Sequence, residues 1–107
     1  MINTLKIDTS DSKQIAVEIK TGEKTERIVE DSTFLKSEAV LPAIEKILQK
    51  NKLKIDDIEK IEVNKGPGSF TGLRVGIAIA NALSFLLKIP VNKRSVGELE
   101  EPVYNDR

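Results

Sequence analysis

Residues 64–91 read NKGPGSFTGLRVGIAIANALSFLLKIPV, and this run restricts the fold more than any other part of the chain. Gly66, Pro67, Gly68 and Gly72 crowd its opening. Behind them comes a long stretch in which Arg74, Asn81 and Ser84 are almost the only polar residues. Such a run can be a phosphate-cradling loop and its helix, a membrane span, or a helix that protein covers on both sides. Length counts against the membrane. The uncharged part, residues 75–87, is about 13 residues or roughly 20 Å of helix, against a hydrocarbon core of roughly 30 Å. Asn81 stands at its middle.

Gly66, Gly68 and Gly72 follow a predicted strand and open a predicted helix, where a phosphate loop belongs. A Walker A loop needs Lys-Ser/Thr after its last glycine, and Leu73-Arg74 stands there instead. The dinucleotide fingerprint is missed by one residue, with no acid about twenty positions on. The same residues read as a tight strand-to-helix turn with Ser69 as N-cap, which is the reading taken here.

The helix itself says more. At 100° per residue, Gly72, Gly76, Ile79, Ala80, Leu83, Leu86 and Leu87 share one side, the expected core side. Phe70, Arg74, Ile77, Ala78, Asn81 and Phe85 fall opposite. A solvent face would carry lysines and glutamates. A protein partner is expected to cover this one; the alternative is that the C-terminal tail folds over it.

The rest of the chain supplies a scaffold. Residues 2–8 and 14–20 alternate apolar and polar, as half-buried strands do. TGEK at 21–24 is a turn signal, and TERIVE at 25–30 a third strand of the meander. The period then lengthens. Residues 37–50 place Val40, Leu41, Ile44, Ile47 and Leu48 on one helical face. Ile61 and Val63 alternate with Lys60 and Glu62 in a further strand, and PVNKR at 90–94 reads as the last. The predicted order is β-β-β-α-β-α-β, a two-layer α/β domain with a mixed five-stranded sheet. Right-handed crossovers put both helices on one face and leave the other wet. Residues 1–95 are read as one domain and 96–107, which lack a period, as a tail.

Composition narrows the chemistry. Seventeen basic and seventeen acidic residues balance, so no basic excess advertises nucleic acid. The absence of cysteine excludes disulfides and thiolate metal sites. The absence of histidine removes the commonest metal ligand and general base. The opening MINTLKIDTS has no basic region followed by an apolar one, so a cytoplasmic location is expected.

The stretch GPGSFTGLRVGIAIANALSFLLKIPV (66–91) closely resembles the signature of the TsaB (YeaZ) family. LKIDTSDSKQIAVEI (5–19) is similar to that family's opening strand-turn-strand, and SEAVLPAIEKIL (37–48) to its first helix. The resemblance implies half of an actin-like ATPase (ASKHA, ribonuclease H-like) fold in a catalytically degenerate form. It also implies a role: supporting the related catalytic subunit TsaD, with the ATPase TsaE joining, in placing threonylcarbamoyl on adenosine 37 of tRNA. In that family the two helices of the N-terminal half build the partner interface, which assigns Phe70, Arg74, Ile77, Ala78, Asn81, Phe85 and Leu41 to partner binding. The catalytic relative holds its metal through His-x-x-x-His, and this chain has no histidine.

Family members are about twice as long. EPVYNDR (101–107) looks like the Pro-x-Tyr tail at the family's C-terminus, so the expectation is a short form that has lost its second subdomain. No cofactor is then required, because actin-like folds hold nucleotide between two lobes. DTSDS (8–12) sits where such folds have their first phosphate loop. Asp8, Thr9 and Ser10 could hold a metal-bound phosphate there or cap a turn; the turn is the reading taken. Contact with tRNA is expected only through the complex, and self-association through the same helix face is expected when TsaD is absent. Two rivals stand beside this reading: a small nucleotide-binding enzyme using the 66–72 loop and Asp8, and a stand-alone homodimer with another role.

Overall fold

The computed structural model describes residues 2–32 and 36–103. Strands β1 (Asn3–Asp8), β2 (Gln14–Thr21) and β3 (Lys24–Asp31) form the antiparallel meander, and β4 (Lys60–Val63) joins parallel to β1. The sheet order is β3-β2-β1-β4. Register follows the period-two pattern. Leu5 stands between Ile19 and Ile61, and Ile7 between Val17 and Val63. These six side chains are buried on one face. One residue along, Lys6 stands between Glu18 and Glu62 on the other face, as a solvated antiparallel surface requires. Gly22 turns the β2–β3 hairpin at φ +62°, a conformation that costs glycine no Cβ clash.

Helix α1 (Lys36–Lys50) buries Val40, Ala43, Ile44, Ile47 and Leu48, the i, i+3, i+4, i+7 stripe of a helix lying on a core. It packs on β2 and β3. Helix α2 (Phe70–Leu87) packs on β4 and β1, with α1 beside it. Both helices therefore share the apolar face, as the right-handed crossovers predict. Among the described residues no helix is long and apolar enough to cross a membrane.

The predicted fifth strand shrinks to a single parallel bridge, Ile61 to Val91. Asn92 explains why. Its backbone turns left-handed at φ +53°, which ends the strand. Its side chain then takes the place of the missing backbone: Oδ1 accepts from the Val63 N–H at 2.8 Å, and Nδ2 donates to the Val63 carbonyl at 3.2 Å. Beyond Asn92 the chain returns along α2. Asn81 and the Glu100 backbone exchange two hydrogen bonds, of 2.9 and 2.8 Å, and the Val103 N–H donates to the Lys65 carbonyl at 2.6 Å. Residues 98–103 thus form a strap running antiparallel to the helix.

Candidate partner interface

The glycines of the 66–72 loop and the first turns of α2 serve close packing. A Cβ on Gly72 would collide with the Thr9 carbonyl, one on Gly76 with Thr9 Oγ1, and one on Gly68 with the Ser10 backbone. Thr9 is fully buried. Its hydroxyl donates to the Gly72 carbonyl at 2.5 Å and accepts from the Gly76 N–H at 3.1 Å, so one threonine anchors α2 to the end of β1. The Ser69 N–H donates to the Ser10 carbonyl at 2.9 Å, and Ser69 Oγ accepts from the Gly72 N–H as N-cap.

Asp8, Thr9 and Ser10 therefore do not converge as a phosphate site. Thr9 points into α2. Ser10 gives its amide and hydroxyl to Asp8 Oδ1, at 3.0 and 2.6 Å, which is a carboxylate closing a local turn. Partial burial alone would raise the Asp8 pKa; the Ser10 bonds, the Asn64 amide and the charge of Arg27 outweigh it, and the carboxyl sits below its usual range. Of the three residues only Asp8 lines the cleft of about 770 Å³ beside β4, together with Lys6, Asn64 and Lys93. With the glycine surface filled by Thr9 and Ser10, these residues do not fit the phosphate cradle of a nucleotide site.

The structure rotates α2 relative to the face read from spacing. Leu73, Ile77, Ala80 and Ser84 point inward, while Leu86, expected in the core, is 71% exposed. Ile77, expected on the partner face, is 4% exposed. Ile77 is buried in the core cluster together with Leu73 and Ala80, so this side of α2 faces the sheet, and the strap is bonded beside it at Asn81. Asn81 is likewise no free contact residue, since its amide holds the strap.

The strap is fastened by Glu100, whose side chain is almost wholly buried. Asn92 Nδ2 donates to Oε2 at 2.7 Å; the Glu101 N–H and Arg94 Nε donate to Oε1 at 3.0 and 3.3 Å. Lys65 Nζ stands 3.7 Å away. Burial works to raise this carboxyl's pKa, but the Asn92 and backbone bonds with the two cations hold it below the usual glutamate range. The acidic run GELEE, read as featureless tail, thus hides a buried anchor. Its one sequence signal is the proximity of Asn92 and Arg94 in the chain.

Much of what remains open on α2 is apolar. Arg74, Ala78, Ala82, Phe85 and Leu86 are exposed on α2, with Phe85 at 73%. On α1, Leu41 is 53% exposed. Between the helices a groove is lined by Ser37, Thr71, Arg74, Val75, Ala78 and Ile79. Of the residues expected on the partner face, Arg74 and Ala78 line this groove, Phe85 and Leu41 are exposed on α2 and α1, and the exposed Leu86 and Ala82 were not among them. The side chain of Phe70 lies outside the described residues.

A four-stranded mixed sheet with two helices on one face, presenting an uncovered helix pair, is one lobe of an actin-like (ASKHA) α/β fold. Comparisons with known proteins agree. The chain aligns with YeaZ from Pseudomonas aeruginosa at a TM-score of 0.81 and 27% identity, over 89% of this chain and 44% of that one. It is 39% identical over 83 residues to the tRNA threonylcarbamoyladenosine biosynthesis protein TsaB of Bacillus subtilis, covering 75% of this chain and 35% of that protein. The TsaB of Haemophilus influenzae is 36% identical over 90 residues, 84% of this chain and 38% of its own length. Residues 33–96 match the family described as "TsaD: tRNA N6-adenosine threonylcarbamoyltransferase". The chain belongs to this family, on its TsaB (YeaZ) branch, and spans between a third and a half of the length of the relatives it matches.

Proposed function

We propose that the chain is a non-catalytic partner subunit in the synthesis of N6-threonylcarbamoyladenosine at position 37 of tRNA. It acts by docking its α1–α2 face against the corresponding helices of the catalytic relative, TsaD. The observation that carries this reading is the bare apolar surface of Leu41, Ala78, Phe85 and Leu86 on the two helices. Burying a large apolar side chain is worth about 1.5–3 kcal/mol, so Phe85, Leu86 and Leu41 together can supply a hot-spot cluster of ordinary size. The absence of histidine supports an accessory role. A cytoplasmic setting and contact with tRNA only through the complex belong to the same reading.

The test is reconstituted modification of an ANN-decoding tRNA by TsaD from the same organism. Modification that depends on adding this chain, and is lost with Phe85→Glu, is the expected result. Equal modification with and without the chain would remove the proposal. The rival, a nucleotide-binding enzyme using the 66–72 loop and Asp8, predicts saturable ATP binding by the chain alone, abolished by Asp8→Ala; no such binding is expected, because Thr9 and Ser10 fill the glycine surface.

A further inference from the structure

The cleft of about 770 Å³ beside β4 takes in Lys6, Lys60 and Glu62 from the wet face of the sheet. It therefore opens away from the helices and stays uncovered when they dock. Acids and bases balance over the whole chain, but not here. Lys6, Lys60, Lys65, Lys93 and Arg94 line the cleft against three carboxylates, Asp8, Glu62 and Glu100. Each carboxylate is already committed. Glu62 pairs with Lys60 at 3.5 Å. The buried Glu100 serves both Arg94 at 3.3 Å and Lys65 at 3.7 Å, one cation more than its charge balances. Asp8 holds the Ser10 amide and hydroxyl. Lys6 stands between Glu18 and Glu62 in the register and bonds neither, while Arg27 takes the first at 3.4 Å and Lys60 the second. Among the described residues neither Lys6 nor Lys93 has an ion pair. The strap's other acids, Glu98 and Glu101, do not line the cleft, and no described aromatic residue does.

We propose that this cleft receives the phosphate backbone of RNA, with Lys6, Lys93 and the surplus cation of the Lys65–Arg94 pair as its contacts. It rests on the reading above, which supplies an RNA substrate, and adds where this chain touches it. Lysine and arginine meet phosphates without reading sequence, and with no aromatic platform no base is stacked. A small phosphate ligand would need the backbone N–H groups of the glycine loop, and Thr9 and Ser10 fill that surface. What remains is a set of cations spread along the cleft, which suits a chain of phosphates rather than a single group. Contact with about three phosphates gives a weak, salt-dependent association. It is too weak to hold tRNA unaided and counts once the complex presents the tRNA.

Amide chemical shifts of the isotope-labelled chain, titrated at low salt with the anticodon stem-loop of an ANN-decoding tRNA, test this without TsaD. Shift changes should centre on residues 6, 60–66 and 92–94, with a Kd on the order of 10⁻⁴ M. Raising the salt fourfold should weaken binding roughly twentyfold. Lys6→Gln combined with Lys93→Gln alters only exposed side chains and should lower the salt slope by about 2; its own spectrum shows that it folds. Changes spread over the helices, or left unaltered by the double variant, would overturn the proposal. Equal changes with inorganic phosphate or with a polyglutamate peptide would overturn the assignment to RNA. Light scattering of the chain mixed with TsaD keeps the two readings apart. A missing complex removes the docking reading and leaves the shifts standing; a complex formed by a chain that shows no RNA shifts removes the cleft and leaves docking.

Discussion

Ile77 and Phe85 sit on the same helix, two turns apart, and the structure assigns them opposite fates. Ile77→Ala removes three carbons from a side chain that is 4% exposed. At about 0.8 kcal/mol per buried carbon, with a further term for the space left behind, the loss should be about 3 kcal/mol, inside the range of roughly 2–5 for such truncations. Against a total stability of roughly 5–15 kcal/mol for a domain of this size, the variant should remain folded with a clearly lowered urea midpoint and an unchanged slope. Ile77→Glu, which buries a carboxylate with no counter-charge, should be largely unfolded. Phe85→Glu should leave stability within about 0.5 kcal/mol of wild type, as exposed substitutions usually do. Equilibrium urea unfolding followed by far-UV circular dichroism reads all three. If Ile77→Ala cost less than about 1 kcal/mol while Phe85→Ala cost more than 2, the helix would be rotated from the position described and the proposed face would be wrong.

Glu100→Gln keeps shape but removes the charge that Asn92, Arg94 and Lys65 surround, and should cost roughly 1–3 kcal/mol with loss of amide protection in residues 98–103 by hydrogen exchange. The pH dependence has a definite sign. Glu100 and Asp8 both have carboxyl pKa values lowered by folding. Their contribution is therefore present above the ordinary carboxylate range and fades as pH falls through it; the wild-type chain should lose stability on acidification more steeply than Glu100→Gln. Gly76→Ala should destabilise by about 1–3 kcal/mol, because its Cβ meets the buried Thr9 hydroxyl although alanine is the better helix former. Thr9→Val should cost less, since the Gly72 carbonyl and Gly76 N–H can close the helical bond on each other; thermal unfolding of the two variants ranks them.

The sheet was readable because a strand's period is two, and a pattern such as Leu5, Ile7 against Thr4, Lys6 has only one way to face a core. Helix α1 was readable for the same reason: its lysines and glutamates fix which side is wet. Helix α2 lacks that contrast. With Ala, Ile, Leu and Phe all round, its rotation was set by contacts from elsewhere, chiefly the Thr9 clasp at Gly72 and Gly76 and the strap at Asn81. The glycines announced a close neighbour without naming it. The strap itself was hidden because a run such as GELEEP gives no sign that one of its glutamates is buried. The fifth strand failed on a single residue, Asn92, whose left-handed backbone and side-chain bonds to Val63 replace the ladder. The two covers expected for this helix divide it: the tail takes the side of Asn81, while Phe85 and Leu86 stay exposed.

That bare face is the central claim, and the mass of the complex tests it most directly. Light scattering on size-exclusion chromatography would be run with this chain and TsaD from the same organism, separately and mixed. The predicted result is a mixed peak at the mass of one copy of each, absent when this chain carries Phe85→Glu and present when it carries the distant, exposed Lys20→Ala on the sheet's wet face. Two separate peaks with the wild-type chain, or a complex indifferent to Phe85→Glu, would contradict the account.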